Sequence, residues 1–304
     1  MFERLLNCNA SDIAQMNRDD LLGAIRDSEG RIIMVETIGR KEPIFEVSNA
    51  EVVSAMSADI LLLNIFDVDD PIINGLPEHD KKDTVRLLKK LTGRPIAINL
   101  EPAPLNPDNP SQWKLTPGRQ ATAANAKKAL EMGVDMILIT GNPGNGIENK
   151  EVIRAIRELK EAVGDKMIIA AGKMHAAGVD EEGADEILSM EEIDEFAKEG
   201  ADIILLPAPG TVPGIDLSWA RERVKRIHKM GKLACTAIGT SQEGSDIDTI
   251  KSIALLCKQT GADIHHIGDS GLSGITLPEN ILNYSIVIRG RRHTYMRMGR
   301  SINR

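Results

Sequence analysis

The sequence predicts an α/β fold in which eight parallel strands close into a (β/α)8 barrel. Short apolar runs recur eight times, roughly 33 residues apart, which is about the length that one strand and one helix need together. Four of these runs follow the same kind of junction: a turn-forming Gly or Ser, a small apolar residue and an aspartate. Hydrophobic residues make up 42% of the 304 residues and aromatic residues only 3%. Aliphatic cores of this kind suit parallel strands that are covered by helices.

The eight runs are predicted strands, and the segments between them have helical periodicity. An open, doubly wound sheet is the alternative, but that fold usually carries a glycine-rich nucleotide fingerprint after its first strand. The segment at 144–149 lacks the third glycine of that fingerprint, and no P-loop occurs, so no nucleotide cofactor is predicted. The strands are predicted to begin near Arg31, Asp59, Pro95, Asp135, Met167, Asp202, Lys232 and Asp263.

Both ends of the chain extend the predicted barrel within a single domain, 1–304. Residues 1–30 predict one extra helix, capped by Ser11 and Asp12, that covers either the bottom of the barrel or a dimer surface. Residues 289–304 contain six arginines and no acid. We expect this tail to pack on an acidic neighbour or on the body of the chain. The alternatives are that one arginine reaches an anion site, or that the tail binds RNA.

Composition narrows the partners and the compartment. The formal net charge of −8 and the scarcity of aromatic residues argue against nucleic acid. The three cysteines are far apart and form no CxxC pair, so neither a disulfide framework nor a zinc site is predicted. No signal peptide or membrane-spanning run is visible. We expect a cytoplasmic homo-oligomer without a membrane partner.

Function in a barrel of this kind is expected at the carboxyl ends of the strands. The predicted seventh and eighth strands end in IGTSQEGS and IGDSGLSG, which are rich in glycine and hydroxyl groups. Such turns offer backbone N–H groups to an anion, so they predict a site for the phosphate or carboxylate of a small metabolite. Tight turns that merely close the barrel are the alternative. The predicted phosphate-binding residues are Gly239, Thr240, Ser241, Gly268, Ser270, Gly271, Ser273 and Gly274.

Three acidic residues follow the first three predicted strands. Glu36, Asp67 and Glu101 would be neighbours on one side of the barrel mouth. Carboxylate oxygens suit Mg²⁺, so these residues predict a magnesium site. A hydrogen-bonded polar ring without a metal is the alternative.

Four residues are candidates for catalysis: Lys173, His175, Asp269 and Glu101. Lys173 and His175 are two residues apart after a predicted strand, so both side chains are predicted to face the mouth. Lys173 would form an imine or hold an anion, and His175 and Asp269 would transfer protons. His265 and His266 alternate in direction, so at most one points inward. The long segments 101–117 and 173–189 are predicted lids over the mouth.

Three stretches resemble a known family: MIIAAGKMHAAG, ADIILLPAPGTVPGIDLSWARERVKR and MILITGNPGNG. They make the second half of the chain loosely similar to the BtpA-like family, and the chain as a whole is similar to the broad superfamily of phosphate-binding barrels. That family is linked with photosystem assembly, so the resemblance implies a barrel fold and leaves the reaction open. A fainter likeness to phosphoenolpyruvate mutase and isocitrate lyase barrels rests on the carboxylates after the early strands.

These observations support three hypotheses about function. The first is an aldol-type lyase or an isomerase that acts on a small phosphorylated metabolite. The second is a Mg²⁺-dependent hydrolase or carbon–carbon lyase that uses the acidic residues. The third is a non-catalytic binding or assembly barrel whose basic tail is the contact surface. The fold alone does not choose among them.

Overall fold

Eight parallel strands close into a barrel in the order in which they occur in the sequence. The computed structural model describes residues 3–41, 44–103, 115–142, 144–176, 179 and 182–304. Each strand begins one residue after its predicted position, and the predicted fold class is confirmed. The strands are β1 Ile32–Ile38, β2 Ile60–Asn64, β3 Ile96–Leu100, β4 Met136–Ile139, β5 Ile168–Gly172, β6 Ile203–Pro207, β7 Leu233–Ile238 and β8 Ile264–Ile267.

Ten α-helices are formed by the described residues. Glycines in the left-handed conformation end several of them, including Gly133, Gly200 and Gly261, as the repeated junction predicted. None of the helices in the described ranges has both the length and the apolar composition needed to cross a membrane. The helices are α1 Ala10–Gln15, α2 Arg18–Arg26, α3 Asn49–Ala55, α4 Thr84–Thr92, α5 Ala123–Met132, α6 Asn149–Val163, α7 Met190–Glu199, α8 Leu217–Lys229, α9 Ile247–Thr260 and α10 Pro278–Gly299.

The apolar residues form two separate cores. Residues at alternate strand positions, such as Met34 in β1 and Leu62 in β2, fill the interior of the barrel. Their neighbours Val35 and Leu63 pack outward against the helices. This alternation follows from the two-residue period of a strand, and it decides which polar side chains can reach the mouth.

The aspartate of each repeated junction has a structural role. Each one accepts a hydrogen bond from a backbone N–H near the start of the preceding strand, so it ties two neighbouring strands together at the bottom of the barrel. The bonds join Asp59 Oδ2 to Ile33 N (2.9 Å), Asp135 Oδ2 to Ile96 N (2.8 Å), Asp202 Oδ2 to Ile169 N (3.0 Å) and Asp263 Oδ2 to Ala234 N (2.8 Å).

The amino-terminal extension forms two short α-helices, so the prediction of one helix capped by Ser11 and Asp12 was wrong. Asn17 interrupts it, because its side chain accepts hydrogen bonds from the N–H groups of Asp19 and Asp20 and so caps a second helix, α2. Apolar side chains of the extension, among them Leu6 and Ile25, join the core inside the barrel. The extension therefore covers the bottom of the barrel, one of the two predicted positions.

The arginine-rich tail continues α10 beyond a kink at Gly290 and packs on the body of the chain, as predicted. Arg289 and Arg297 form buried ion pairs with Asp59, the residue that immediately precedes β2. Arg300 donates to the carbonyl oxygen of Asn7 in the amino-terminal extension. These arginines lie at the bottom of the barrel, so the alternative in which one of them reaches an anion site at the mouth is not supported.

Candidate active site

A polar cavity of about 170 Å³ lies where the strands end. Strand alternation brings its side chains there. In β1, Met34 belongs to the interior core and Glu36 comes two residues later; in β2, Leu62 and Asn64 repeat this arrangement. The polar or charged side chains among the described lining residues are Glu36, Asn64, Asn99, Thr140, Asn142, His175, Ser241, Glu243, Asp269 and Ser270.

The main feature of the cavity is a hydrogen-bonded pair of carboxyl groups, Glu36 and Asp269. They come from the ends of β1 and β8, which are paired neighbours in the barrel. Burial raises the pKa of Glu36. Burial, followed by the charge of Glu36, raises the pKa of Asp269 to about 7. Like charges this close disfavour double ionisation, so the pair holds a proton near neutral pH.

Two neighbours fix the orientation of Glu36. The side-chain amide of Asn64 donates to Glu36 Oε1 at 2.8 Å, and His266 Nε2 lies 3.2 Å from Glu36 Oε2. Burial lowers the pKa of His266 to about 4, so at neutral pH this imidazole is uncharged and Nε2–H donates. His265 points outward and packs edge-on against Tyr284. The prediction that at most one of the two histidines faces inward is confirmed.

Glu101 supports the cavity from behind and does not line it. It is 1% exposed, forms an ion pair with Arg119, and accepts from the backbone N–H of Asn142 at 3.0 Å. The amide of Asn142 donates to Glu101 Oε1 at 2.9 Å, and Asn142 Oδ1 accepts from Asn64 at 3.2 Å. A polar chain therefore runs from Arg119 to Glu36. Glu101, predicted as a catalytic residue, thus lies behind the wall of the cavity and contacts a lining residue, Asn142.

Asp67, the third carboxylate of the predicted magnesium site, has other partners. Its oxygens accept from Thr116 Oγ1 at 2.6 Å and from the N–H of Asp69 at 2.8 Å, and it does not line the cavity. Glu36 and Glu101 are likewise held by different groups. Across the described part of the chain, no three His, Cys, Asp or Glu side chains converge as a metal site. The three predicted residues, as they are placed, do not fit one shared ion.

Lys173 and His175 lie on different sides of the chain, although both were predicted to face the mouth. His175 lines the cavity, and burial lowers its pKa to about 4. Lys173 forms a buried ion pair with Glu182, and burial lowers its pKa to about 8. Ile168 and Ala170 point into the barrel, so strand alternation turns Lys173, directly after β5, outward. The alternation ends with β5 at Gly172, and His175 reaches the cavity from the bend that follows. An imine at Lys173 would form outside the cavity.

The turns after β7 and β8 contribute five of the eight predicted phosphate-binding residues to the cavity: Gly239, Ser241, Gly268, Ser270 and Gly271. Carboxylates of the chain itself already use N–H groups of these turns. Glu243 accepts from the backbone N–H of Ser241, and Asp269 accepts from that of Gly271 at 2.7 Å. Two of the N–H groups that the prediction assigned to a phosphate are therefore already used by carboxyl groups of the chain.

The other three predicted phosphate-binding residues serve the fold. Thr240 Oγ1 lies 2.7 Å from the carbonyl oxygen of Thr211. Ser273 accepts from the side-chain amide of Asn49 at 3.1 Å, and the carbonyl of Gly274 accepts from the N–H of Ile38 at 2.8 Å. The contacts of Ser273 and Gly274 join the loop after β8 to the start of α3 and the end of β1. The predicted lids, 101–117 and 173–189, include residues 104–114, 177–178 and 180–181, which lie outside the described residues.

The predicted site residues did not include Glu243 or three amide-bearing residues, Asn64, Asn99 and Asn142, although all four follow or end predicted strands. Burial raises the pKa of the Glu243 carboxyl, which lies close enough to Asp269 for their charges to interact. Asn64 and Asn99 lie at or next to the last residue of a strand, at an inward-facing register. Glu243 lies in a short 3₁₀ turn after β7, where strand alternation does not give the direction of a side chain.

Comparisons with solved structures show the fold alone. A variant of the carboxyl transferase domain of Rhizobium etli pyruvate carboxylase, solved with pyruvate, superposes with a TM-score of 0.56 at 12% identity. The match covers 95% of this chain and 52% of that one, so the chain spans about half of its length. Thiamine phosphate pyrophosphorylase from Pyrococcus furiosus reaches only 0.47 at 16% identity, covering 86% of this chain and 96% of that one.

Sequence comparison gives one assignment. No curated protein sequence matches this chain. The loose resemblance to the BtpA-like family therefore stays an expectation. One family profile, described as "Domain of unknown function (DUF7916)", matches residues 6–304, which is nearly the whole chain. The chain belongs to the DUF7916 family.

Proposed function

We propose that this protein is an isomerase or an aldol-type lyase. It would remove a proton from one atom of a small hydroxylated substrate and return it to a neighbouring atom. The observation that carries this proposal is the Glu36–Asp269 pair, which holds a proton near neutral pH inside a polar cavity at the barrel mouth. A general acid or base works best when its pKa lies close to the pH at which it operates. The pKa of Asp269, about 7, meets this condition.

The two carboxyl groups have different roles in the proposal. Asn64 and His266 fix the orientation of Glu36, so Glu36 acts as the hydrogen-bond acceptor of the pair. Asp269 follows β8 in a turn, carries the shared proton and lies next to the substrate space. In the reaction, the pair would accept a proton from carbon or oxygen of the substrate and return it to a neighbouring atom. Neutral His175 would donate or accept a hydrogen bond at the opposite wall.

A phosphate group on the substrate is not part of this proposal, although the turns after β7 and β8 predicted one. The carboxyl groups of Glu243 and Asp269 already accept hydrogen bonds from N–H groups of those turns, and a phosphate would add negative charge to a cavity that already holds three carboxyl groups. The magnesium-dependent reaction is set aside because Glu36, Asp67 and Glu101 do not share a site. The assembly role implied by the BtpA-like resemblance has no supporting contact, since the tail is packed on the body.

Exchange with deuterated water tests the proposal without knowledge of the product. The protein is incubated in D₂O with aldoses, ketoses, amino sugars and hydroxy-keto acids, each with and without a phosphate group, and deuterium uptake is read by mass spectrometry. At least one compound should gain carbon-bound deuterium. Asp269→Asn and Glu36→Gln should each slow this exchange at least about 100-fold, the usual contribution of a positioned acid or base.

Asp165→Asn is the matched control. Asp165 lies between α6 and β5, at the bottom of the barrel, and its side chain is 82% exposed. It should leave the exchange rate unchanged. If no compound exchanges, or if Asp269→Asn and Glu36→Gln both exchange at the wild-type rate, the proposal is overturned.

A further inference from the structure

The charges around the cavity are unbalanced. Three of its described lining residues, Glu36, Glu243 and Asp269, are carboxyl groups, and none is a lysine or an arginine. His175, the one histidine among them, has its pKa lowered by burial to about 4 and is neutral at pH 7. Burial raises the pKa of all three carboxyl groups. This is the behaviour expected of carboxylates enclosed without a positive partner.

Three buried oxygen atoms of the cavity residues also have no hydrogen-bond partner within the described part of the protein. Two of them, Asn99 Oδ1 and Glu243 Oε2, can only accept, and the third is the hydroxyl oxygen of Thr140. Asn99 is 5% exposed and Glu243 is 6% exposed. The amide nitrogen of Asn99 donates to Asn64 Oδ1 at 3.1 Å, and this bond fixes which end of the amide remains as an acceptor. Buried polar atoms are nearly always paired, so these two acceptors indicate a ligand that donates hydrogen bonds.

A protonated amine meets both conditions, because it carries a positive charge and three donors and has no acceptor. Hydroxyl groups beside it would pair with Thr140 Oγ1, which also has no partner among the described residues. The cavity of about 170 Å³ holds on the order of five or six water molecules, so the ligand must be small. We propose that the substrate of this site is a small hydroxylated amine whose ammonium group lies against Glu243 and the Glu36–Asp269 pair and whose hydroxyl groups reach Asn99 and Thr140.

This inference rests on the proposed function in one respect, namely that the bound amine is also the substrate. Its test is a binding measurement that is independent of turnover. Isothermal titration calorimetry at pH 7 compares two pairs of compounds that differ in one group: 2-aminoethanol with ethylene glycol, and glucosamine with glucose. In at least one pair, the amine should bind at least tenfold more tightly. Glucose 6-phosphate should bind no better than glucose.

Two further readouts localise the amine. Glu243→Gln keeps the size of the side chain and removes its charge, so it should weaken amine binding at least tenfold. Asn99→Leu should weaken it as well, which preserves the test if Glu243→Gln does not fold. Asp165→Asn should change nothing. Binding should also release protons, seen as a heat that depends on the buffer, because an ammonium group favours the ionised carboxylates.

The outcomes separate the two proposals. Equal binding of amine and neutral partner, no binding by either pair, tighter binding of the phosphorylated sugar, or binding that appears only with Mg²⁺ and disappears in EDTA would each overturn the amine inference. Selective amine binding that Glu243→Gln weakens would support it. If the amine binds in this way and no compound exchanges deuterium, the inference about the ligand stands and the proposed enzymatic function fails.

Discussion

Glu101 shows how much one buried residue can do without touching the cavity. It neutralises Arg119, which is 4% exposed, and it holds Asn142 through a backbone N–H and a side-chain amide. Asn142 in turn contacts Asn64, which donates to Glu36. The position of the Glu36 carboxyl group therefore depends on an ion pair behind the wall of the cavity.

We expect Glu101→Gln to destabilise the protein by about 3–5 kcal/mol, because it leaves the charge of Arg119 buried without its carboxylate. Urea unfolding followed by circular dichroism measures the change. Asp70→Asn is the control, since Asp70 forms ion pairs with Arg40 and Lys81 but its side chain is 41% exposed. Solvent-exposed ion pairs contribute little to stability, so Asp70→Asn should lower the free energy of unfolding by less than about 1 kcal/mol. Similar losses in both variants would contradict the role assigned to Glu101.

Among single residues, the sequence predicted part of the candidate site. Glu36, His175 and Asp269 reach the cavity as expected, because each follows a predicted strand at the mouth. Lys173 does not, because the alternation of β5 turns it outward, and that alternation ends at Gly172, before His175. Glu243 follows the predicted seventh strand, but the direction of its side chain could not be predicted from that strand. It reaches the cavity through a turn whose first residue, Ser241, has a positive φ of 79°.

Among the elements, the strands were the most predictable. Each is a short aliphatic run bounded by polar residues, and strand ends in a barrel are fixed by the neighbours on both sides. The amino-terminal helices were less predictable, because the segment contains two asparagines, Asn9 and Asn17, and each is the N-cap residue of a separate helix. The aspartate at each repeated junction could be identified in the sequence, but its hydrogen bond to the preceding strand could not be predicted from it.

The junction aspartate before β8 gives a prediction about pH. His228 in α8 lies 2.9 Å from Asp263, and this hydrogen bond raises the pKa of His228. A raised folded-state pKa adds stability that is fully present below the unfolded value of about 6.5 and is lost as the pH rises through the folded-state value. The stability difference between the wild type and His228→Gln should therefore be largest near pH 5.5 and should shrink by pH 9.

Urea unfolding at several pH values measures that difference. In an Asp263→Asn background the partner is gone, so the effect of His228→Gln should no longer depend on pH in this way. A difference that stays constant from pH 5.5 to pH 9, or that grows with pH, would show that the contact contributes through packing alone.

The whole molecule separates its charges between the two ends of the barrel. The mouth holds the carboxyl groups of the cavity, and the bottom holds buried arginines. Asp59 is completely buried beside Arg289 and Arg297, and Arg94 adds a third buried guanidinium that interacts with it. Burial opposes ionisation of Asp59, but the two paired arginines outweigh it and lower the pKa of this carboxyl. One carboxylate therefore joins the tail to β1 and to the start of β2, and Arg297 extends this contact to the amino-terminal extension by donating to the carbonyl oxygen of Leu5.

Asp59→Asn should be among the most destabilising polar changes in this barrel, because it leaves three buried cations without their shared anion. We expect a loss of about 3–5 kcal/mol in urea unfolding. Asp135→Asn is the matched control: Asp135 makes the same bond to a strand, but its cation, Lys89, is 29% exposed and can be hydrated. A second change, Arg289→Met, should recover part of the stability in the Asp59→Asn background by removing one uncompensated charge. Equal losses for the two aspartates, with no recovery by Arg289→Met, would mean that the hydrogen bond to the strand, and not the arginine cluster, is what closes the bottom of the barrel.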